Sequence, residues 1–286
     1  MTAFRDLFFA AKDGLRLHAR DYNEGETGKL PVLCLPGLTR NVRDFEDLAG
    51  YLADEGRRVI VAEQRGRGLS DYDPQPENYK PEIYVGDMLA LLDHLALKQV
   101  IIIGTSLGGL MAMLMAAAQP ARIAAILFND IGPEVAPEGL EKIKRYVGRP
   151  PQVADWHAAA EDLRRIYAGA FPRYALQDWH EMARRLYHEN AAGQPVLDYD
   201  PKIAVNVLNS KNAAPTLWEQ FDAMPPIKLA VLRGSLSDIL TSATLAEMRK
   251  RRSSLRVLEL PEIGHAPSLG EEEARAFILE FLAGLP

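Results

Sequence analysis

Several features that would place a protein in a particular class are missing from this sequence. Its 286 residues include a single cysteine, Cys34, so the chain can form no internal disulfide and a reducing compartment is expected. No apolar run is long enough for a membrane span, and the start, MTAFRDLFFAAKDG, lacks the pattern of an export signal. The 33 basic residues are outnumbered by 39 acidic ones, which disfavours nucleic acid and anionic membranes as partners. We therefore expect a globular, cytoplasmic protein, and the composition leaves a homodimer open.

Spacings typical of metal and dinucleotide sites are also missing. The sequence contains neither H-x-x-x-H nor C-x-x-C, and its glycine-rich stretches at 66–68 and 104–109 lack the full G-x-G-x-x-G pattern. We therefore expect no metal and no organic cofactor, and a small molecule as the binding partner.

The sequence does contain a regular alternation of strand-like and helix-like stretches. Apolar, β-branched segments predict strands, and Asp13-Gly14 joins the first two of them as a hairpin. The predicted strands are Leu7–Ala11, Leu15–Tyr22, Leu30–Leu35, Arg58–Ala62, Val100–Ile103, Ile123–Asn129, Lys228–Gly234 and Leu255–Leu260. Helical stretches separate most of the later strands, so we predict the α/β class with a doubly wound, mostly parallel, eight-stranded sheet and an N-terminal antiparallel hairpin.

The alternation breaks between Pro133 and Pro215. Helical patterns at Trp156–Ala168 and Leu176–Glu189 fill this stretch, and several prolines interrupt it. A segment of this length is too long for an ordinary loop. We predict a helical cap over residues 133–215, inserted into a core formed by residues 1–132 and 216–286.

The central motif is G-x-S-x-G at residues 104–108. It follows the apolar strand Val100–Ile103 and precedes a predicted helix, Leu107–Ala118. In this context the motif predicts a nucleophile elbow that presents Ser106 at a sharp turn. Gly104 and Gly108 would approach each other too closely for a Cβ, and the N–H of Leu107, at the helix start, would stabilise an oxyanion.

A base and an acid follow later strands. His265 comes after the last predicted strand, and Asp238 comes after the strand before it. Since the carboxyl ends of parallel strands share one edge of a sheet, we predict a triad of Ser106, Asp238 and His265. Asp130 is a competing acid, because it directly follows the strand that ends at Asn129.

Five motifs make the chain resemble capped hydrolases of the α/β-hydrolase fold. They are LPG at 35–37, EQRGRGLSD at 63–71, GTSLGG at 104–109, RGSLSD at 233–238 and GHAP at 264–267. The resemblance implies that the N–H of Leu38 is the second oxyanion donor. Two positions depart from the family pattern: Pro36 stands where the family often has His, and Glu63 stands where it usually has Asp.

The predicted chemistry is serine hydrolysis of an ester, thioester or lactone of a small organic molecule. A carbon–carbon bond hydrolase of ring-cleavage products, a lyase or cofactor-independent oxygenase, and a ligand-binding receptor remain alternatives on the same fold. Arg40 is a candidate ligand for a substrate carboxylate. Trp156 and Trp179 are candidates for lining an apolar pocket under the cap, together with other aromatic residues at 171, 174 and 187.

Overall fold

Ten strands run through residues 2–25, 27–209 and 216–286, which are the residues that the computed structural model describes. They are β1 (Phe4–Ala10), β2 (Arg16–Tyr22), β3 (Val32–Leu35), β4 (Val59–Ala62), β5 (Val100–Thr105), β6 (Ile123–Asn129), β7 (Tyr187–Glu189), β8 (Pro195–Leu197), β9 (Lys228–Gly234) and β10 (Arg256–Leu260).

Eight of these strands form one sheet in the order β1-β2-β4-β3-β5-β6-β9-β10. The first pairings, β1 with β2 and β2 with β4, are antiparallel, and all the later pairings are parallel. The predicted mostly parallel sheet with an N-terminal hairpin is therefore confirmed. β1 begins at Phe4, earlier than expected, because its register with β2 extends to a pair between Phe4 and Tyr22.

Helices cover both faces of the sheet. They are α1 (Glu46–Asp54), α2 (Pro81–His94), α3 (Leu107–Ala118), α4 (Pro137–Tyr146), α5 (Trp156–Tyr167), α6 (Leu176–Leu186), α7 (Ala204–Asn209), α8 (Trp218–Ala223), α9 (Ser242–Arg251) and α10 (Glu272–Ala283). One apolar core joins the sheet to α2, α3, α8 and α9, and a second joins its other face to α1 and α10. None of the described helices is both long and apolar enough to cross a bilayer.

The inner strands are buried on both faces, as the β-branched runs predicted. Ile102 in β5 packs in the core beside α3, while its neighbours Ile101 and Ile103 pack in the core beside α1 and α10. Cys34 in β3 belongs to this second core, and burial raises the pKa of its thiol. The thiol is therefore a protonated packing group rather than a nucleophile.

The segment between β6 and β9 contains α4 to α7 and a separate two-stranded sheet of β7 and β8. α4 and the small sheet had no counterpart in the expected pattern. The helix expected to reach Glu189 ends at Leu186, because the next residues pair with β8 instead. The predicted boundary between cap and core, at 215 and 216, lies beside residues 210–215, which are outside the described residues.

Candidate active site

Ser106 lies at the turn between β5 and α3, with φ of 52° and ψ of −116°. A Cβ on Gly104 would lie 2.6 Å from the backbone of Gly108, and one on Gly108 would lie 2.0 Å from the carbonyl oxygen of Leu35. Only glycine fits at both positions, because distances this short are below any real Cβ contact. The two glycines therefore permit the sharp turn that presents the Ser106 hydroxyl at the sheet edge.

His265 lies beside this hydroxyl. Its Nε2 is 2.9 Å from the Ser106 Oγ, and its Nδ1 is 2.8 Å from the Asp130 Oδ2. Because a carboxylate only accepts hydrogen bonds, Nδ1 carries the ring hydrogen and donates it to Asp130. The neutral Nε2 is then free to accept the proton of the serine hydroxyl.

The carboxylate on the histidine is Asp130, not the expected Asp238. Asp130 is fully buried, and it also accepts hydrogen bonds from the Gly234 N–H at 2.8 Å and the Ser237 hydroxyl at 2.6 Å. Asp238 is about one third exposed and forms an ion pair with Lys142 at 2.8 Å, so the structure uses it to hold α4.

The two aspartates follow neighbouring strands. Asp130 comes after β6 and Asp238 after β9, and these strands pair in parallel, with Asn129 opposite Leu232. Both positions therefore reach the same edge of the sheet, and spacing alone cannot separate them. Ser237 in the RGSLSD motif contacts the site in place of the aspartate that follows it.

The loop after β3 approaches Ser106 from the other side. A Cβ on Gly37 would lie 3.7 Å from the Ser106 Cβ, and Leu38 lines the same cleft. The buried Arg67 donates to the Leu38 carbonyl from Nε at 3.0 Å and from Nη2 at 2.9 Å. The EQRGRGLSD motif contributed to the family resemblance, but nothing in the sequence indicated that its Arg67 would bond the Leu38 carbonyl. Leu107 begins α3 directly after Ser106, as expected.

A cleft of about 530 Å³ opens onto Ser106 and His265. Its wall includes Leu38 and Arg40 from the loop after β3, and aromatic residues from α4 to α6 and their connections. The aromatic residues are Tyr146, Tyr167, Phe171 and Tyr174. No group of three or more His, Cys, Asp or Glu side chains within residues 2–25, 27–209 and 216–286 is arranged to hold a metal ion.

The two tryptophans expected in this pocket lie elsewhere. Trp179 is 2% exposed and packs edge-on against Phe171 and Tyr174, so it forms the interior of the helical segment. Trp156 donates to Glu189 at 2.8 Å and lies under the Arg184 guanidinium. Trp156 and Trp179 lie in different helices, α5 and α6, and the sequence pattern of each helix does not show which neighbour its aromatic residues face.

Comparison with known proteins identifies relatives along nearly the whole chain. The sequence is 33% identical over 278 residues to the 3-hydroxybutyrate-oligomer hydrolase of Cupriavidus necator, covering 94% of each chain. It is 27% identical over 245 residues to the 2-(acetamidomethylene)succinate hydrolase of Mesorhizobium japonicum, covering 85% of this chain and 84% of the relative.

A solved structure and a family pattern agree with these relatives. The crystal structure of an α/β hydrolase from Novosphingobium aromaticivorans superposes with a TM-score of 0.93 at 45% identity, over 99% of both chains. The pattern described as the alpha/beta hydrolase fold matches residues 31–269, which include Ser106, Asp130 and His265. This chain belongs to the α/β-hydrolase fold family and is a hydrolase.

Proposed function

We propose that this protein is a carboxylic ester hydrolase that forms an acyl-enzyme on Ser106. The observation that carries the proposal is the hydrogen-bonded chain from Asp130 through His265 to Ser106, with distances of 2.8 and 2.9 Å. These three hydrogen-bonded residues supply a nucleophile, a base and a group that fixes the orientation of the base. The site opens onto a cleft large enough for a small organic ester.

The proposed mechanism assigns a group to each step. The Ser106 Oγ attacks the ester carbonyl while His265 Nε2 takes the hydroxyl proton, and Asp130 stabilises the imidazolium that forms. The N–H groups of Leu38 and Leu107 would hold the developing oxyanion. His265 then protonates the leaving alcohol, and water attacks the acyl-enzyme by the same route in reverse.

The relatives support a substrate class within the esters. One of them is named for the hydrolysis of 3-hydroxybutyrate oligomers, and the similarity to it extends over 94% of both chains. We therefore propose short oligoesters of hydroxy acids as the first substrates to test. The second relative is named for 2-(acetamidomethylene)succinate, so an acetamido-substituted dicarboxylate is the second candidate.

A serine-directed fluorophosphonate tests the proposed nucleophile. We expect one adduct on the wild-type protein, mapped to Ser106 by peptide mass spectrometry, and none on Ser106→Ala. The same variant is expected to keep its thermal midpoint and to lose at least about 10³-fold in kcat on an aryl acetate. Full turnover by Ser106→Ala would disprove the assignment.

A substrate screen separates the remaining reaction classes. It compares 3-hydroxybutyrate dimers and trimers, aryl esters, thioesters, lactones, 2-(acetamidomethylene)succinate and dienoic ketones. Faster cleavage of the oligoesters than of all the others is the expected result. A preference for the ketones would instead favour carbon–carbon bond hydrolysis, and turnover with no acyl adduct after rapid acid quench would favour a lyase or a cofactor-independent oxygenase.

A further inference from the structure

The Arg40 side chain lies beside the nucleophile. A Cβ built on Gly37 would be 3.4 Å from the Arg40 Cγ and 3.7 Å from the Ser106 Cβ, so both side chains flank one point of the loop after β3. Both residues line the same cleft. The guanidinium therefore lies within reach of a molecule whose carbonyl is at Ser106.

The charge of Arg40 is weakly compensated. Its side chain is only 17% exposed, and Asp44, at 3.5 Å, is its one carboxylate partner within the described part of the chain. Arginine carries five N–H donors and stays protonated, so this one carboxylate contact occupies only part of its donor set. By contrast, Arg185 on the same cleft wall approaches Asp47 to 2.5 Å.

The surroundings of Arg40 suit an anion with a short organic chain. Its guanidinium lies over the Tyr167 ring at 5.7 Å, and the Tyr167 ring packs edge-on against Tyr146. Burial raises the pKa of Tyr146 and also raises that of Tyr174, to about 12, so both phenols remain donors. Ile143, Phe171 and Met182 add apolar surface to the wall of the same cleft.

We propose that Arg40 binds a free carboxylate of the substrate and makes the site selective for esters that carry an acid group a few bonds from the scissile carbonyl. This rests on the proposed ester hydrolysis at Ser106. A carboxylate would give the guanidinium the close, charge-assisted hydrogen bonds that Asp44 does not supply at 3.5 Å. The nearby apolar wall would contact the connecting carbons.

Kinetics on matched acid and amide substrates test this assignment. We would measure kcat and KM for 3-acetoxybutanoate and for its neutral counterpart, 3-acetoxybutanamide, with the wild type, Arg40→Gln and Arg40→Lys. The wild type should prefer the acid, and Arg40→Gln should lose about 10- to 100-fold of that preference, mainly through a higher KM. Arg40→Lys should restore part of the preference for the acid. Arg164→Gln replaces an exposed arginine outside the cleft and should leave kcat and KM unchanged on both substrates.

A binding measurement separates this proposal from the proposed chemistry. Calorimetry of both compounds on Ser106→Ala, with and without Arg40→Gln, reports carboxylate recognition even if the wild type hydrolyses neither of them. Equal affinity of Ser106→Ala for the acid and the amide would overturn the role of Arg40. So would an equal loss of affinity for the two compounds when Arg40→Gln is added to Ser106→Ala. This result needs no folded Arg40 variant. Monoethyl succinate in the same series shows whether the recognised carboxylate belongs to the acyl half or the alcohol half.

Discussion

Ser106 adopts a backbone conformation that residues other than glycine rarely take. Its φ of 52° is stabilised by the surrounding chain, since the Ser106 N–H donates to the Asn129 carbonyl and the Gly109 N–H donates to the Ser106 carbonyl. Such strain costs about 1–3 kcal/mol and persists where the neighbouring structure fixes it. The cost is consistent with a residue that must be presented at a turn for chemistry.

The environment of Asp130 suits the role of orienting a histidine. Its carboxylate is fully buried and has two donors besides His265, namely the Gly234 N–H and the Ser237 hydroxyl. These contacts satisfy the carboxylate and fix its direction, so the imidazole is held in one tautomer. Asp238 has neither the burial nor the contact with His265.

Matched substitutions at the two aspartates test this difference. Asp130→Asn should lower kcat on an aryl ester by about 10³- to 10⁴-fold, because the amide no longer fixes the His265 tautomer. Asp238→Asn should change kcat less than about threefold, since its ion pair with Lys142 is about one third exposed and is worth at most about 1 kcal/mol. Steady-state kinetics on both purified variants measures this, and a larger loss for Asp238→Asn would reverse the assignment.

At the scale of elements, the turn after β4 connects the cleft wall to the segment between β6 and β9. Arg67 in this turn is fully buried and donates to the carbonyls of Leu38 and Arg65 and to the Tyr84 hydroxyl in α2. Its backbone also forms a bridge with Tyr199, which follows β8. The Arg67 side chain thus links the loop after β3, which carries the proposed oxyanion donor, to α2.

Arg67→Lys is the substitution that isolates this link. Lysine keeps the charge but cannot hold the Leu38 carbonyl with two N–H groups, so the loop should shift relative to Ser106. We expect kcat to fall about 10- to 100-fold with KM changed much less, because an oxyanion donor acts in the transition state. Steady-state kinetics and a thermal melt of the purified Arg67→Lys variant test this prediction. An unchanged kcat in a protein with a lowered melting midpoint would show that Arg67 only supports the fold.

At the scale of the whole molecule, Arg65 ties the hairpin to the core. It forms a paired contact with Asp87 in α2 at 2.8 and 2.6 Å, and it also bonds Asp73 at 2.5 Å and Asp13 of the β1–β2 turn at 2.6 Å. Glu63, two residues earlier, instead contacts His18 in β2 and the Val42 N–H. Glu63 and Arg65 thus anchor separate parts of the fold.

Removing Arg65 should destabilise the fold strongly. Arg65→Met leaves Asp73 and Asp87 buried without their cation, which costs about 3–5 kcal/mol in the free energy of unfolding. Burial raises the pKa of Asp87 even with Arg65 present, so its charged form is the costly one and protonation favours the folded state. The deficit should therefore be smaller at pH 5 than at pH 8.

Urea titrations at the two pH values measure this effect. Arg164→Gln, which breaks an exposed pair with Glu161 on α5, is the control and should change the free energy of unfolding by less than about 0.5 kcal/mol. A deficit for Arg65→Met that grows toward pH 5 would show that the buried carboxylates are not its cause.

The sequence by itself determined the strands of the main sheet and the reactive pair of Ser106 and His265. β-branched runs such as Val100–Ile103 favour buried strands, and Gly104 is required by its close approach to Gly108, four residues away. Gly108 is required by the Leu35 carbonyl of the neighbouring strand, which the sequence did not show. Local sterics and periodicity are properties of short stretches, so they can be deduced without the fold. For the same reason the expected eight strands of the main sheet all appear in the structure.

Only the tertiary structure decided which partners meet. Asp130 and Asp238 reach the same sheet edge from adjacent strands, and the side-chain packing around Ser237 and Lys142 selects between them. The cleft aromatics were equally undetermined, since helical periodicity shows that a face is buried but not what it faces. Contacts between residues far apart in the sequence depend on how whole elements pack together. Residue spacing along the chain does not predict that packing.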